Sequence, residues 1–416
     1  MHISWPLGSV FARTAFIYCS RFPSFSLPVA HSTAICISLS LAHLLNLTVS
    51  PLLSPTITMR YSIPCVTAMA VSVAYAAPFT ARGNSKGVSF PLANGFPNPS
   101  QSAINQIQKD AQGTLPNGAP PPSMTPEGLT NLKLIALNEL FEVAFFTELA
   151  ANISSRAPGY DLGEKQGYVL DAIKAIVAQE ELHLLNANGA LKHFNQAEIQ
   201  PCRYSFPVTD FESAIGLAQT FTDLVLGTLQ DVSDIFARSQ DYGLVRAVAS
   251  VIGNEAQQDG FFRSQQKKIP SAQPFLTGSA RDFAFTAIQS FVVPGSCPNI
   301  HTIPLKTFKG LTIKTKKVQP KTQHLKFAFS KKDAGMFQIE HLRVVYLNGQ
   351  SVPVVKPLMD VQTKGDSVTF SAEFPYDEFV MDGLTIAAVT SGADSFDGPD
   401  AVAQKTLFGP GLIELN

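Results

Sequence analysis

Acidic residues on the apolar stripes of long helical segments constrain this 416-residue chain more than any other feature. From Thr125-Pro126-Glu127, an N-cap threonine followed by proline at the first helical position, apolar residues recur with a 3.6-residue period. The pattern predicts four long helices, at 127–154, 164–194, 210–239 and 243–266, and a shorter one at 279–292. In the first, Glu142 shares a face with Ile135, Phe146, Leu149 and Ile153, and Glu139 sits on the edge of the same stripe. In the second, Glu180 shares a face with Ile173, Val177, Leu184 and Leu191, and His183 follows three residues later. Glu181 is turned away by about 100° and is expected in solvent. In the fourth, Glu255 falls with Val248, Val251, Ile252 and Phe262. A buried, unpaired carboxylate loses its hydration, so these acids require protons, a cation or a metal.

Four-helix bundles that hold a carboxylate-bridged metal pair supply one Glu from each of two helices and Glu-x-x-His from each of the other two. Glu180-Glu181-Leu182-His183 is such an element, with both ligands over one turn of one helix side. Between the second and third helices lies NQAEIQPCRYSFPVT, residues 195–209. Extended, it covers about 50 Å, enough to run the ~45 Å length of a 30-residue helix. That long crossover is the ferritin-like topology. After Pro294 the period changes to 2, in GLTIKTKKV, HLKFAFS, LRVVYL, SVTFSAEF, LTIAAVT and GLIEL, with a hairpin signal at Asn348-Gly349. The predicted class is therefore α+β: a ferritin-like four-helix bundle over 126–294, then a small β-sandwich-like domain over 295–416. Residues 77–125, rich in Pro, Gly, Asn and Ser, read as an extended arm with a short helical turn around 102–111.

The front of the chain differs from the rest. Residues 1–58 contain no Asp, Glu or Lys, and Ser, Leu, Pro and Phe fill 28 of the 58 positions. Met59 then opens a unit with Arg60, an apolar stretch from Cys65 to Val73 and the small-x-small site Ala74-Tyr75-Ala76. These are the parts of a signal peptide over 59–76, with cleavage after Ala76 and a leader at 1–58 outside the mature protein. The rival reading of the leader is a membrane anchor, since 22–59 carries no charged side chain; Pro28, Pro51 and Pro55 break that run. Of five cysteines, only Cys202 and Cys297 follow the cleavage site, and in an oxidising compartment they are expected to pair. Asn152-Ile153-Ser154 is a glycosylation sequon.

The stretches GTLPNG, NLKLIALNELFEVAFFTELAANI, VAQEELHLLNANGALKHF, QPCRYSFPVTDF, FTDLVLGTLQDV and VIGNEAQQDGFFR, spread over residues 90–300, resemble fungal late sexual development proteins. That family comprises secreted members of the ferritin-like superfamily related to fungal stress-response proteins. The resemblance implies a metal motif whose ligands transfer only in part. Glu142, or Glu139 in its place, fills the first-helix carboxylate; Glu180 and His183 fill the second-helix pair; Glu255 fills the fourth-helix carboxylate. Thr222 stands at the third-helix carboxylate and Gln258 at the second histidine. Such a set suits one first-row divalent ion, Fe or Mn, better than two.

Two function classes follow. One is a secreted structural or interaction protein of fungal sexual development and stress, with a degenerate di-metal site. The alternative is a metal-binding oxidoreductase or metal-storage protein using the bundle carboxylates. With 31 Lys and Arg against 32 Asp and Glu, no global field favours nucleic acid, and no phosphate-binding glycine loop points to a nucleotide cofactor. Lys306, Lys309, Lys314, Lys316, Lys317, Lys321 and Lys326 form a basic run where the β domain begins. A solvated strand face or contact with an acidic glycan or cell-wall polymer would account for it.

Overall fold

The computed structural model of the chain describes residues 87–416. The expected leader (1–58), the expected signal peptide with its cleavage site (59–76) and the first ten residues of the arm lie outside the described residues. The arm carries helix α1 (Gln101–Asp110). The bundle then comprises α2 (Pro126–Ser154), α3 (Gln166–His193), α4 (Phe211–Arg238) and α5 (Val245–Gln265), with α6 (Arg281–Gln289) behind them. The Thr125 hydroxyl starts α2 by accepting from the Gly128 N–H at 3.1 Å, and donates at 2.5 Å to Asp241 in the turn between α4 and α5. Asp210 and Ser213 close a reciprocal cap at the start of α4.

The segment between α3 and α4 runs back along the bundle. The Phe211 N–H reaches the Gly159 carbonyl in the α2–α3 turn, so α4 starts at the end where α3 started. Asn188 of α3 pins the crossover by bonding both the N–H and the carbonyl of Ile199. Further along, Tyr204 bridges antiparallel to Val292, and Cys202 is joined to Cys297 by a disulfide. The rings of Phe141, Phe206, Phe221 and Phe291 pack around this junction.

Beyond the bundle, β1 (Thr312–Ile313), β2 (Gln323–Ser330), β3 (Arg343–Asn348), β4 (Val354–Pro357), β5 (Met359–Lys364), β6 (Ser367–Phe374), β7 (Gly383–Thr390) and β8 (Thr406–Leu415) form two antiparallel four-stranded sheets. Their orders are β1-β2-β6-β5 and β4-β3-β7-β8. The Asn348-Gly349 signal joins β3 to β4, with Tyr346 opposite Val354 and Gly349 at φ +57°. The sheets face one another through Phe329 against Phe408, with ring centres 4.1 Å apart, and Tyr346 against Phe374. Strand β7 divides its side chains between two cores. Ala387 and Val389 point between the sheets, whereas Leu384, Ile386 and Ala388 meet Leu224 of α4 and Phe283 and Ala284 of α6. One sheet is thereby sandwiched between the other sheet and the bundle. Among the described residues, no helix is long and apolar enough to cross a membrane.

Candidate metal centre

The cap at Thr125 fixes where α2 begins, so Glu139 and Glu142 fall about four turns in, at the middle of the bundle. Opposite them α3 presents Glu180 and His183, and α5 presents Glu255 and Gln258. Glu139, Glu180, His183 and Glu255 each bring a ligand atom to within 4.8 Å of the others. The three carboxylates are at most 1% exposed. His183 Nδ1 lies 2.7 Å from Glu180 Oε2 and 3.6 Å from Glu139 Oε2. Between the two acids that the helical stripe of α2 leaves open, the structure draws Glu139 into the converging set. Glu142 stands beside it, close enough to feel the charges of Glu255, Glu180 and Glu139.

Two of the positions expected to lack ligands behave differently from one another. Gln258 takes part in the cluster, its Nε2 donating to Glu180 Oε1 at 2.5 Å and to Gln179 Oε1 at 3.1 Å. Thr222 is buried on α4, and among the described residues no α4 side chain joins the converging set.

Burial dominates the electrostatics. It pushes Glu139 up to about 8, with His183 pulling the other way. Burial and then the neighbouring carboxylates raise Glu142 and Glu255 well above the usual carboxylate range. Glu180 is the exception. Burial would raise it, but the His183 charge and hydrogen bonds from His183, Glu139 and Gln258 outweigh that and hold it low. His183 rises well above its ordinary value; burial opposes this, and the Glu180 charge, its 2.7 Å hydrogen bond and the nearby Glu139 carboxylate prevail. The pair Glu180⁻–His183⁺ is thus internally matched, while the other three acids are not. Glu139 Oε2 and both oxygens of Glu142 and Glu255 are buried without a hydrogen-bond partner.

The sequence pattern places Glu181 in solvent, and the structure corrects this. Glu181 is 3% exposed, covered by the arm, with Asn94 Nδ2 donating to its Oε1 at 2.8 Å. Burial lifts it to about 7. Helix α1 packs on the same helix through Ile107 and Ala111 against Ala178 and Leu182. An arm without periodicity gives no sequence signal of where it lies.

A second buried charged group has no counterpart in the sequence reading. Asp223 of α4, Asp259 and Arg263 of α5, and Glu414 of β8 are each at most 5% exposed. Arg263 donates to the Ile269 carbonyl at 2.7 Å and to Asn416 Oδ1 at 2.6 Å, and its Nη1 lies 3.7 Å from Glu414. Gln219 donates to Glu414 and accepts from Lys268. Burial, then Asp223, raises Asp259 to about 9, with Arg263 and Lys268 opposing.

A helical bundle with a long crossover and inward Glu and Glu-x-x-His side chains is the geometry in which the comparison with known families falls. The family model of the ferritin-like domain matches residues 131–268. Curated proteins give no match to the chain. The matched span holds every member of the converging set, from Glu139 to Glu255. A ferritin-like domain implies a bound metal, and the donor set fits one ion. Three carboxylates and an imidazole are hard-to-borderline ligands suited to first-row divalent metals. The unpartnered oxygens of Glu139 and Glu255 are acceptors that a cation would satisfy. Asn152, in the last turn of α2, is half-buried.

Proposed function

We propose that the ferritin-like domain binds a single first-row divalent ion, iron or manganese, through Glu139, Glu180, His183 and Glu255. Glu255 carries this reading: it is fully buried beside the other three, and neither of its oxygens has a partner. Leaving such a group uncompensated costs several kcal/mol, on the order of 3–5 for a buried charge. A bound ion would supply Lewis acidity and, with iron or manganese, one-electron chemistry. The chain's own contribution is to exclude water with the Phe146 and Phe262 rings, stacked 5.5 Å apart on the neighbouring turns of α2 and α5. His183 would exchange its Nδ1 proton for the ion, so binding releases protons and weakens as pH falls.

A second reading is a metal-free scaffold, and Gln258 favours it. Its amide already donates to Glu180 Oε1, so one oxygen of a candidate ligand is satisfied without an ion. In that form Glu139, Glu142 and Glu255 stay neutral. Both readings suit a secreted protein of fungal sexual development or stress, which the six sequence stretches and the Cys202–Cys297 bridge support. Contact with an acidic wall polymer is supported by the exposure of all seven lysines between Lys306 and Lys326. Metal analysis of protein purified without chelators tests the metal reading. Roughly one ion per chain is expected, and its loss in Glu255→Gln. A chain that holds none as isolated, and takes up neither Mn²⁺ nor Fe²⁺, is the scaffold.

A further inference from the structure

A cleft of about 730 Å³ opens where α6 and the segment after it meet the sandwich. Its size falls within the ~300–1,000 Å³ of small-molecule sites, which favour domain junctions. The bundle side contributes Ala287 and Phe291, and the sandwich side Leu311, Phe329 and Leu412. Phe308, Leu311, Phe329 and Leu412 are at most 8% exposed, so the floor is a continuous apolar surface.

The rim is polar and mixed in sign. The side chains of Thr312, Lys314 and Ser367 have no hydrogen-bond or ion-pair partner among the described residues. Asp333 and Asp366 stand on the same, sandwich-derived side; Asp366 already accepts from Ser330 at 2.7 Å and from the Lys332 N–H at 2.9 Å and lies 3.8 Å from the Lys332 ammonium, so Asp333 is the freer acid. A ligand of either charge would meet like charge there, at Asp333 or at Lys314, while hydroxyl groups donate to Asp333 and accept from the lysine.

The floor is also thin. A smaller space of about 30 Å³ shares Ala287, Phe291 and Leu412 with the cleft and extends to Phe141, Phe221 and Asn138. Asn138 is 5% exposed, and both atoms of its amide lack partners. Phe291 lines both spaces.

We propose that this junction cleft binds an uncharged amphipathic small molecule, with its apolar body on the Phe308, Phe329 and Leu412 floor and its hydroxyl-bearing end at Thr312, Lys314 and Ser367. The site is independent of whether the carboxylate cluster holds metal.

Octyl β-glucoside, titrated as a monomer into the mature protein by calorimetry, is the probe, with octanoate and octylamine as charged counterparts of the same chain length. One saturable site per chain is expected for the glucoside, with at least about tenfold weaker binding of both charged forms. Ala287→Phe should fill the floor and weaken glucoside binding by about tenfold or more. Should that variant fail to fold, Ser367→Trp, at an exposed strand end, obstructs the mouth and is expected to act alike. Absence of saturable binding, equal binding of the charged forms, or unchanged affinity in Ser367→Trp would each overturn the proposal.

Discussion

In the middle of the bundle, Glu139, Glu142, Glu180 and Glu255 share one histidine; one turn further along α5, Asp259 meets Asp223 and Glu414 around Arg263 and Lys268. The first group sets four carboxylates against one imidazole, and the second sets three against two cations. Both are buried, and burial raises acids in both. The difference lies in who supplies the positive charge. Around Arg263 the chain supplies it, and the reward is a join between the last strand of the sandwich and the bundle. Around Glu255 the one cationic group is His183, and both Glu255 oxygens lack a partner; around Arg263, Asp223, Asp259 and Glu414 each leave only one oxygen unpartnered, as Arg263 does its Nη1. A cluster that offsets most of its acids with its own cations is architecture; one that sets a single imidazole against four acids is open to something from outside.

Four experiments can break that contrast or sharpen it. The largest effect is expected for Arg263→Met, which strands the acids around it and should cost about 3–5 kcal/mol in urea unfolding. A loss below about 1 kcal/mol would mean that the second cluster is not held by its own arginine. Next is metal. Mn²⁺ at 100 times its dissociation constant should stabilise the metal-free protein by about 2.7 kcal/mol. Glu255→Gln should abolish that gain, whereas Asp259→Asn should keep it. If both variants keep it, the ion binds elsewhere.

The third experiment concerns pH. Asp259 is lifted to about 9 in the folded protein, so the fold holds a proton that the unfolded chain releases. Its contribution is complete below the unfolded value of 3.8 and is lost as pH rises through about 9. Between these limits wild-type stability should fall with pH by up to about 1.4 kcal/mol per unit from this group, and Asp259→Asn should flatten that slope. An unchanged slope would place the titration on other residues. The smallest effect is expected for Glu142→Gln. This acid lies outside the converging set, so metal affinity should stay within about tenfold and metal-free stability within about 1 kcal/mol. Glu139→Gln, by contrast, should lose most metal affinity. Reversal of these two outcomes would exchange the roles of Glu139 and Glu142.

How much of this was legible in the sequence depends on the range of the interaction. The helices carrying Glu142, Glu180 and Glu255 follow from local periodicity, as do the alternating strands and the Asn348-Gly349 hairpin. Periodicity cannot choose between Glu139 and Glu142, because both lie within one stripe and the choice depends on how α2 is rotated against α3. Glu181 was misplaced in solvent because Asn94, 87 residues away in an aperiodic arm, covers it. The Arg263 cluster was invisible for the same reason: Gln219 and Glu414 meet across 195 residues. Acids on α4 and α5 facing away from the bundle centre look solvated until the sandwich that buries them is in place.

Strand β7, buried along all eight residues, has a consequence for biosynthesis. Three of its side chains, Leu384, Ile386 and Ala388, belong to a core whose other wall is Leu224, Phe283 and Ala284. On the ribosome that wall emerges first, and the strand that covers it follows roughly a hundred residues later, about 5–20 seconds at ordinary elongation rates. During that interval a finished bundle presents a bare apolar face. A separately expressed sandwich would present the matching one, through Leu384, Ile386 and Ala388. The two halves are clients of each other, and the order of synthesis decides which has to wait.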